Sequence, residues 1–449
     1  MKIHMVGIGG IGMSALAMHW FLKGIEITGS NIEVNDRTDY LKDLGVEIHI
    51  GHSESFLSED VDEVVITRAI SHGNPEVLKA KRLGIPIQAR DEALREVIKD
   101  LHPSFAVTGT DGKTTTTAMI YHTLRKLGSS PYVFLGGIHP DLEHGNYSSG
   151  DQGVVFELDE SVPTFSSYAV DHLIITNARG DHLESYKDKR EYVKSFIDLV
   201  SNVKGVVVTF ADDEITSGLG KVTFGIGKGD FKFLERRVLG RLQSFTFEDP
   251  GGKLHSADLI VPGFHNCLNA LAVIALLSVI GYDIDEIAEA LKDFQSVYRR
   301  FTISFSSDTD RIFVLDDYAH TPEEVENLIK TVREVFPKEK VVAIFQPHRY
   351  SRTLRENNKL AHSLLGADEI YIAEIYGAFE ENLGISSRII VDELVKSGRN
   401  AQFVEDLNVF IKSLDAKENT VYLFIGAGDI IYYSGKFVGK LKDREVVKN

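Results

Sequence analysis

Val107-Thr108-Gly109-Thr110-Asp111-Gly112-Lys113-Thr114 follows the apolar run Phe105-Ala106-Val107 and leads into Thr115 to Leu124, a helical pattern. A strand, a glycine turn, a lysine and a hydroxyl entering a helix make a phosphate cradle. Backbone N–H groups and the helix N-terminus face the anion, Lys113 supplies a positive charge, and Thr114 can reach a magnesium ion. The first glycine of a full P-loop would fall at Val107, so the loop is a shortened form. The alternative is a plain strand-to-helix turn with an incidental Gly-Lys-Thr. Read as a cradle, the stretch predicts an α/β unit that binds a nucleoside triphosphate.

The rest of the chain sets the context. At 449 residues it is too long for one ordinary core, and two to three domains are expected. A hydrophobic content of 43% beside 26% charged residues describes a globular chain. The net charge of −17 argues against a nucleic-acid partner, which needs clustered Lys and Arg. Cys267 stands alone, which fits a reducing cytosol, and Met1 to Gly12 runs straight into a strand and a turn without a signal-peptide pattern. The apolar stretch 268–280 is too short to span a bilayer. A cytoplasmic protein without a membrane partner is the expectation.

Strands alternate with helical patterns throughout, which indicates parallel βαβ units. A first unit opens on Lys2 to Val6, turns at Gly7-Ile8-Gly9-Gly10-Ile11-Gly12, continues in a helix from Met13 to Leu22, and has further strands at 25–30 and 64–67. The second carries the phosphate loop and strands at 153–156 and 172–177, then an expected antiparallel excursion from 221 to 259 and helices at 266–280 and 285–293. The third opens near Arg299-Arg300-Phe301, with strands at 312–315, 341–345, 369–372 and 421–425. The expected architecture is α/β with three domains. These are an N-terminal Rossmann-like unit (1–101), a central P-loop ATPase with a parallel sheet (102–296) and a C-terminal Rossmann-like unit (297–449).

Several clusters carry chemistry. Gly7, Gly9 and Gly12 fit a dinucleotide turn, but Thr28-Gly29-Ser30-Asn31 offers no acidic residue to hold a ribose, which weakens a nicotinamide reading. Glu157, Asp159 and Glu160 cap an apolar strand beside the phosphate loop and are all candidates for magnesium; spacing alone does not choose between them. His182 follows the next strand and can ligate a second metal. Asn266 and Asn269 open a helix, where they can cap it or meet a purine. Asp316 to His320 and Gln346 to Thr353 both follow strands, where open α/β sheets place ligands, and Arg349 and Arg352 can form a fork for a carboxylate or phosphate.

Taken together and in order, these motifs resemble the Mur ligases. The resemblance rests on Val6 to Ser14, the Gly-Thr-x-Gly-Lys-Thr loop, Phe156 to Ser161, Asp181-His182-Leu183, His265-Asn266, Tyr298 to Phe301, Asp316 to His320 and Phe345 to Tyr350. It covers nearly the whole chain and implies an ATP-dependent amide ligase of peptidoglycan synthesis. Nearest is the alanine-adding branch, with UDP-N-acetylmuramate and L-alanine as substrates, ATP and Mg2+ as cofactors, and a monomer or weak homodimer as the assembly. The resemblance places the triphosphate on Gly109, Thr110, Asp111, Gly112, Lys113, Thr114 and Thr115. Asn269 is then expected at adenine, Arg300 and Asp317 at the ribose and phosphates, and metal at Thr114, Glu157 and His182. Lys113, His182, His320 and Arg352 take catalytic roles. Gly9, Gly10, Ile11, Gly12 and Ser30 hold the UDP part, helped by His52, Thr67 and Arg90, while Tyr318, His320, Arg349 and Arg352 surround the amino acid. The reaction is expected where the domains meet.

The chain departs from the family pattern at Asp111, where histidine is usual, and at Ala178-Arg179-Gly180, where acids are usual. Thr321 replaces a second histidine, Asn31 an aspartate, and Phe196 stands where sister ligases carry a carbamylated lysine, so no carbamate is expected. The alternatives are a ligase that adds a peptide in cell-wall recycling, a nicotinamide-dependent oxidoreductase, and a non-catalytic nucleotide-binding regulator.

Overall fold

Short runs of β-branched residues flanked by glycine turns build three sheets, each with the loops that carry the sequence motifs at the carboxyl ends of parallel strands. The computed structural model describes residues 1–180, 185–378 and 380–448. The first sheet orders its strands Glu47–Ile50, Glu26–Asn31, Lys2–Val6, Glu63–Ile66 and Ile87–Ala89, all parallel. The strand order reverses at Lys2–Val6. The glycine turn therefore opens at the topological switch point, where such sheets leave a crevice. Helix Ile11–Leu22 follows the turn directly.

The second sheet holds ten strands. Its middle is parallel, in the order Val207–Phe210, His172–Ile175, Ser104–Thr108, Val154–Glu157 and Tyr132–Phe134. Ser104–Thr108 is central and ends in the phosphate loop, which leads into helix Lys113–Lys126. The segment expected to be antiparallel begins otherwise. Val222–Ile226 pairs in parallel with both Val207–Phe210 and the start of Phe231–Leu239. Gly227 and Gly229, both with positive φ, let the chain fold back in four residues, a turn that the alternating pattern did not reveal.

The first sheet and the parallel middle of the second lie in one compact unit made of Met1–Glu235, Phe245–Asp258 and Leu268–Gln295. One buried cluster runs through both, from Ile3, Met5 and Met18 to Ala106, Phe156 and Phe196. Phe196 packs edge-to-face on Phe165 and Tyr192 within that core. The second unit comprises Arg236–Ser244, Leu259–Cys267 and Ser296–Asn449. Its six-stranded sheet runs Thr302–Ser307, Ile312–Asp317, Thr420–Ile425, Lys340–Phe345, Glu369–Ala373 and Ala401–Val404, and only the first pair is antiparallel. Among the described residues no helix is long and apolar enough to cross a membrane.

Candidate functional site

The phosphate loop is shaped by a clasp from the next strand. Gly109, at φ +131, passes so close to Thr176 and Asn177 that a Cβ would collide with both. Asn177 O accepts from Thr110 N at 3.1 Å and its Oδ1 from Asp111 N at 3.1 Å, while Thr176 Oγ1 donates to Asp111 O at 2.6 Å. Helix Lys113–Lys126 then starts at Gly112 without a capping side chain, so its first N–H groups remain available to an anion.

Around that helix start the charges converge. Lys113 Nζ donates to Gly109 O at 2.5 Å, to Thr110 O at 3.2 Å and to Glu160 Oε2 at 2.8 Å. Thr114 Oγ1 donates to Glu157 Oε2 at 2.9 Å, and Gly136 N to Glu157 Oε1 at 2.5 Å. Three carboxylates (Glu157, Asp159 and Glu160) thus share one ammonium. Burial opposes the charge on Lys113, but the acids outweigh it and hold its pKa above the ordinary value. The same imbalance tells on the acids. Burial pushes Glu160 up to about 7 against the pull of Lys113, and it raises Glu157 as well. Asp159 goes the other way: burial would raise it, yet Lys113 and the Ser161 hydrogen bonds hold it low.

This nest is electron-rich and suits a hard divalent cation. Magnesium takes one or two carboxylates plus substrate phosphates, and Thr114 with Glu157 offers an oxygen pair of that kind. Glu160 Oε1 is buried with no hydrogen-bond partner. Among the described residues no three His, Cys, Asp or Glu side chains form a metal cage by themselves. His182, the other expected ligand and a candidate catalytic residue, lies outside the described residues. Asn269 is brought to the loop, its Oδ1 2.7 Å from where a Cβ of Gly112 would stand.

The N-terminal glycine turn is built differently. Gly10 caps helix Ile11–Leu22, again without a side-chain cap, and no lysine opens that helix. Gly7 N and Ile8 N both donate to Ser30 O, and Gly9 N donates to Asn31 Oδ1. Thr67 abuts Gly7 and Arg90 NH1 abuts Gly12, so both residues read as auxiliary from sequence stand at the turn. Behind it, Ser30 Oγ donates to Glu76 Oε1 at 3.0 Å, and His52 Nδ1 lies 2.9 Å from the same oxygen. His4 Nε2 takes the other oxygen at 2.7 Å, with both side chains fully buried. Burial would raise the Glu76 carboxyl, but the bonds from His4, Ser30 and His52 hold it below its usual range. His52 Nε2 makes no hydrogen bond among the described residues.

In the second unit, two loops at strand ends assemble the C-terminal residues. Arg299 and Arg300 lie over the Tyr318 ring at 5.0 and 5.2 Å, and Arg300 pairs with Glu324 at 3.3 Å. His320 sits between Tyr318 and His348, with ring centroids 5.4 and 5.6 Å away. Burial, aided by His320 and the arginines, depresses His348 to about 3, and burial likewise lowers His320, so both rings are neutral at pH 7. Positive charge there belongs to the arginines. Arg352 is 4% exposed, and Arg349 holds φ +71, strained backbone of the kind that collects at ligand sites. Asp317 accepts from Phe301 N at 2.7 Å and Ala319 N at 2.8 Å, so its carboxylate shapes the loop; burial raises it to about 6.

Sequence reasoning missed Glu76, His4 and Glu324, and gave His348, inside the Gln346 to Thr353 motif, no role of its own. The one local signal was Asn74-Pro75-Glu76, a helix-start pattern at which Asn74 is the cap of helix Pro75–Leu83 and Glu76 stands in the first turn. Its partners lie 24 to 72 residues away, with no local signal to connect them.

Residues 2–102 match the model of the Mur ligase family, catalytic domain; 107–277 match the Mur ligase middle domain; and 299–428 match the Mur ligase, glutamate ligase domain. The UDP-N-acetylmuramate–L-alanine ligase of Thermotoga neapolitana is 50% identical over 444 residues, covering 98% of this chain and 97% of that protein. The Thermotoga maritima protein of the same name is 51% identical over 441 residues, 98% and 96% of the two chains. A crystal structure of UDP-N-acetylmuramate–alanine ligase from Thermotoga maritima superposes with a TM-score of 0.92 at 47% identity, covering 99% of this chain and all of that one. A murein peptide ligase from Psychrobacter arcticus, at 22% identity and a TM-score of 0.73, shares the fold. With all three of its segments matched, and with relatives about half identical along its length, the chain belongs to the Mur ligase family.

Proposed function

We propose that this ligase joins L-alanine to the lactyl carboxylate of UDP-N-acetylmuramate in peptidoglycan synthesis, consuming ATP. The observation that carries the reading is the nest in which Lys113, Thr114 and Glu157 meet at an uncapped helix start. A carboxylate is a poor electrophile. Transfer of the γ-phosphoryl group to it gives an acyl phosphate and ADP; the alanine amine then attacks the acyl carbon, loses a proton, and the tetrahedral intermediate expels phosphate to leave the amide. Lys113 offsets charge as the two anions approach. Mg2+, held by Thr114 and Glu157 and in the family reading also by His182, would supply further charge neutralisation.

In this reading Asn269 faces adenine, and Arg300 and Asp317 serve the ribose and phosphates. Asp317 does so with a carboxylate already engaged by two backbone N–H groups. Tyr318, His320, Arg349 and Arg352 surround the amino acid, whose carboxylate Arg352 reads. The turn Gly9 to Gly12, with Ser30, holds the UDP part. In the same reading the domains are 1–101, 102–296 and 297–449, and the enzyme works in the cytoplasm as a monomer or weak homodimer on small molecules. The test is phosphate release from ATP with UDP-N-acetylmuramate and a panel of amino acids and peptides. Release with L-alanine supports the proposal. Release only with a peptide makes it a recycling ligase, and none with any acceptor makes it a regulator.

A further inference from the structure

An acidic side chain in a phosphate loop works against its ligand, and Asp111 is such a residue. Its backbone is fully committed, the N–H to Asn177 Oδ1 and the carbonyl to Thr176 and Asn177, so the loop cannot turn the residue away. Its carboxylate meets Arg179 NH1 at 3.0 Å. Arg179 is itself fixed to the loop, since its backbone N–H donates to Thr110 Oγ1 at 3.0 Å. The side chains retain 22% and 46% exposure for Asp111 and Arg179, so the pair sits at the rim and not in the core. An acid of the loop and a base beside its clasp are therefore each other's partners.

We propose that Arg179 is the counter-charge that allows the phosphate loop to carry Asp111, so that ATP affinity depends on the pair and not on either residue alone. The proposal rests on the reading that the Lys113 loop holds the phosphates of ATP. A carboxylate without Arg179 beside it repels a triphosphate more strongly, whereas the salt-bridged one presents a smaller net field. Arg179 thus acts through Asp111 as a positioning and neutralising residue, without touching the nucleotide.

The experiment measures KM for ATP in the full chain, with saturating UDP-N-acetylmuramate and L-alanine, across a double-mutant cycle. Arg179→Ala should raise KM for ATP about tenfold, and the rise should shrink as salt screens the exposed carboxylate. Asp111→Asn should lower it about threefold, because Arg179 is then unopposed. The double variant should return to near the wild-type value, and Arg179→Lys should retain most of it. KM for UDP-N-acetylmuramate should not follow this pattern. If Arg179→Ala does not fold by circular dichroism, Arg179→Gln gives the same reading. An equal rise in the single and double variants would make Arg179 a direct phosphate ligand and overturn the proposal, as would no rise in the single variant. A wild-type chain that makes no amide from ATP would instead defeat the proposed function.

Discussion

Two turns in the first unit have the same construction and opposite electrostatics. At each, a central parallel strand ends in glycines, and a helix begins without a capping side chain. The N-terminal turn has no lysine in its first helical turn, and the buried acid behind it, Glu76, is spent on His4, Ser30 and His52. The central turn gathers Glu157, Asp159 and Glu160 around Lys113. The difference teaches that a glycine turn supplies only the seat. The charges around it decide whether the seat suits a diphosphate held for binding or a triphosphate that must be attacked with a cation present.

The comparison breaks most visibly at Lys113. Lys113→Ala should cut kcat by about a thousandfold or more, because the ammonium that the three acids share is lost. Steady-state phosphate release reads this directly, and a loss under tenfold would mean that the acids do not depend on it. Arg352→Ala is the control outside both turns: it should raise KM for L-alanine about thirtyfold through a lost charge-assisted contact, leaving the affinity for both nucleotides unaltered. An effect confined to ATP would reassign Arg352 to phosphate.

Smaller effects sharpen the contrast. Glu76→Gln should raise KM for UDP-N-acetylmuramate about tenfold by freeing His52 and Ser30, with KM for ATP unmoved. Glu76→Asp should recover part of the loss; a rise in both KM values would show a general structural role.

The smallest effect concerns what steadies the central turn. His122, on the same helix as Lys113, bonds Asp141 at 2.5 Å and Asp293 at 3.1 Å. Burial would lower its pKa, but these acids raise it above the usual 6.5, and His122 in turn helps hold both acids below 3.8. A raised histidine stabilises fully below pH 6.5 and loses that contribution as pH climbs through its folded value; the lowered aspartates contribute above 3.8 and fail in acid. His122→Gln should therefore lower the melting temperature by a few degrees near pH 5.5 and by less near pH 8.5. An equal loss at both pH values would exclude the charged staple.

Much of this was legible in the chain because it is local. The strand–glycine–lysine–helix order located the turn where Lys113 meets the acids, and alternating strands and helices led to the α/β fold that the structure has. Thr67 and Arg90, read only as helpers, do abut the glycine turn. What stayed hidden is non-local or conformational. Glu76 finds its partners through the sheet order, Asp111 and Arg179 meet because Ser104–Thr108 and His172–Ile175 are neighbours, and Arg349 is strained by its place at a helix start. The parallel return at Val222–Ile226 escaped because hydrophobic alternation has the same period in parallel and antiparallel strands.

The central claim is that the two turns hold two different nucleotides independently. Calorimetric titration of Lys113→Ala with UDP-N-acetylmuramate and with ATP tests it most directly. The account predicts a UDP-N-acetylmuramate Kd within about twofold of wild type and ATP binding weakened at least a hundredfold. Loss of both affinities together, or retention of both, would contradict it.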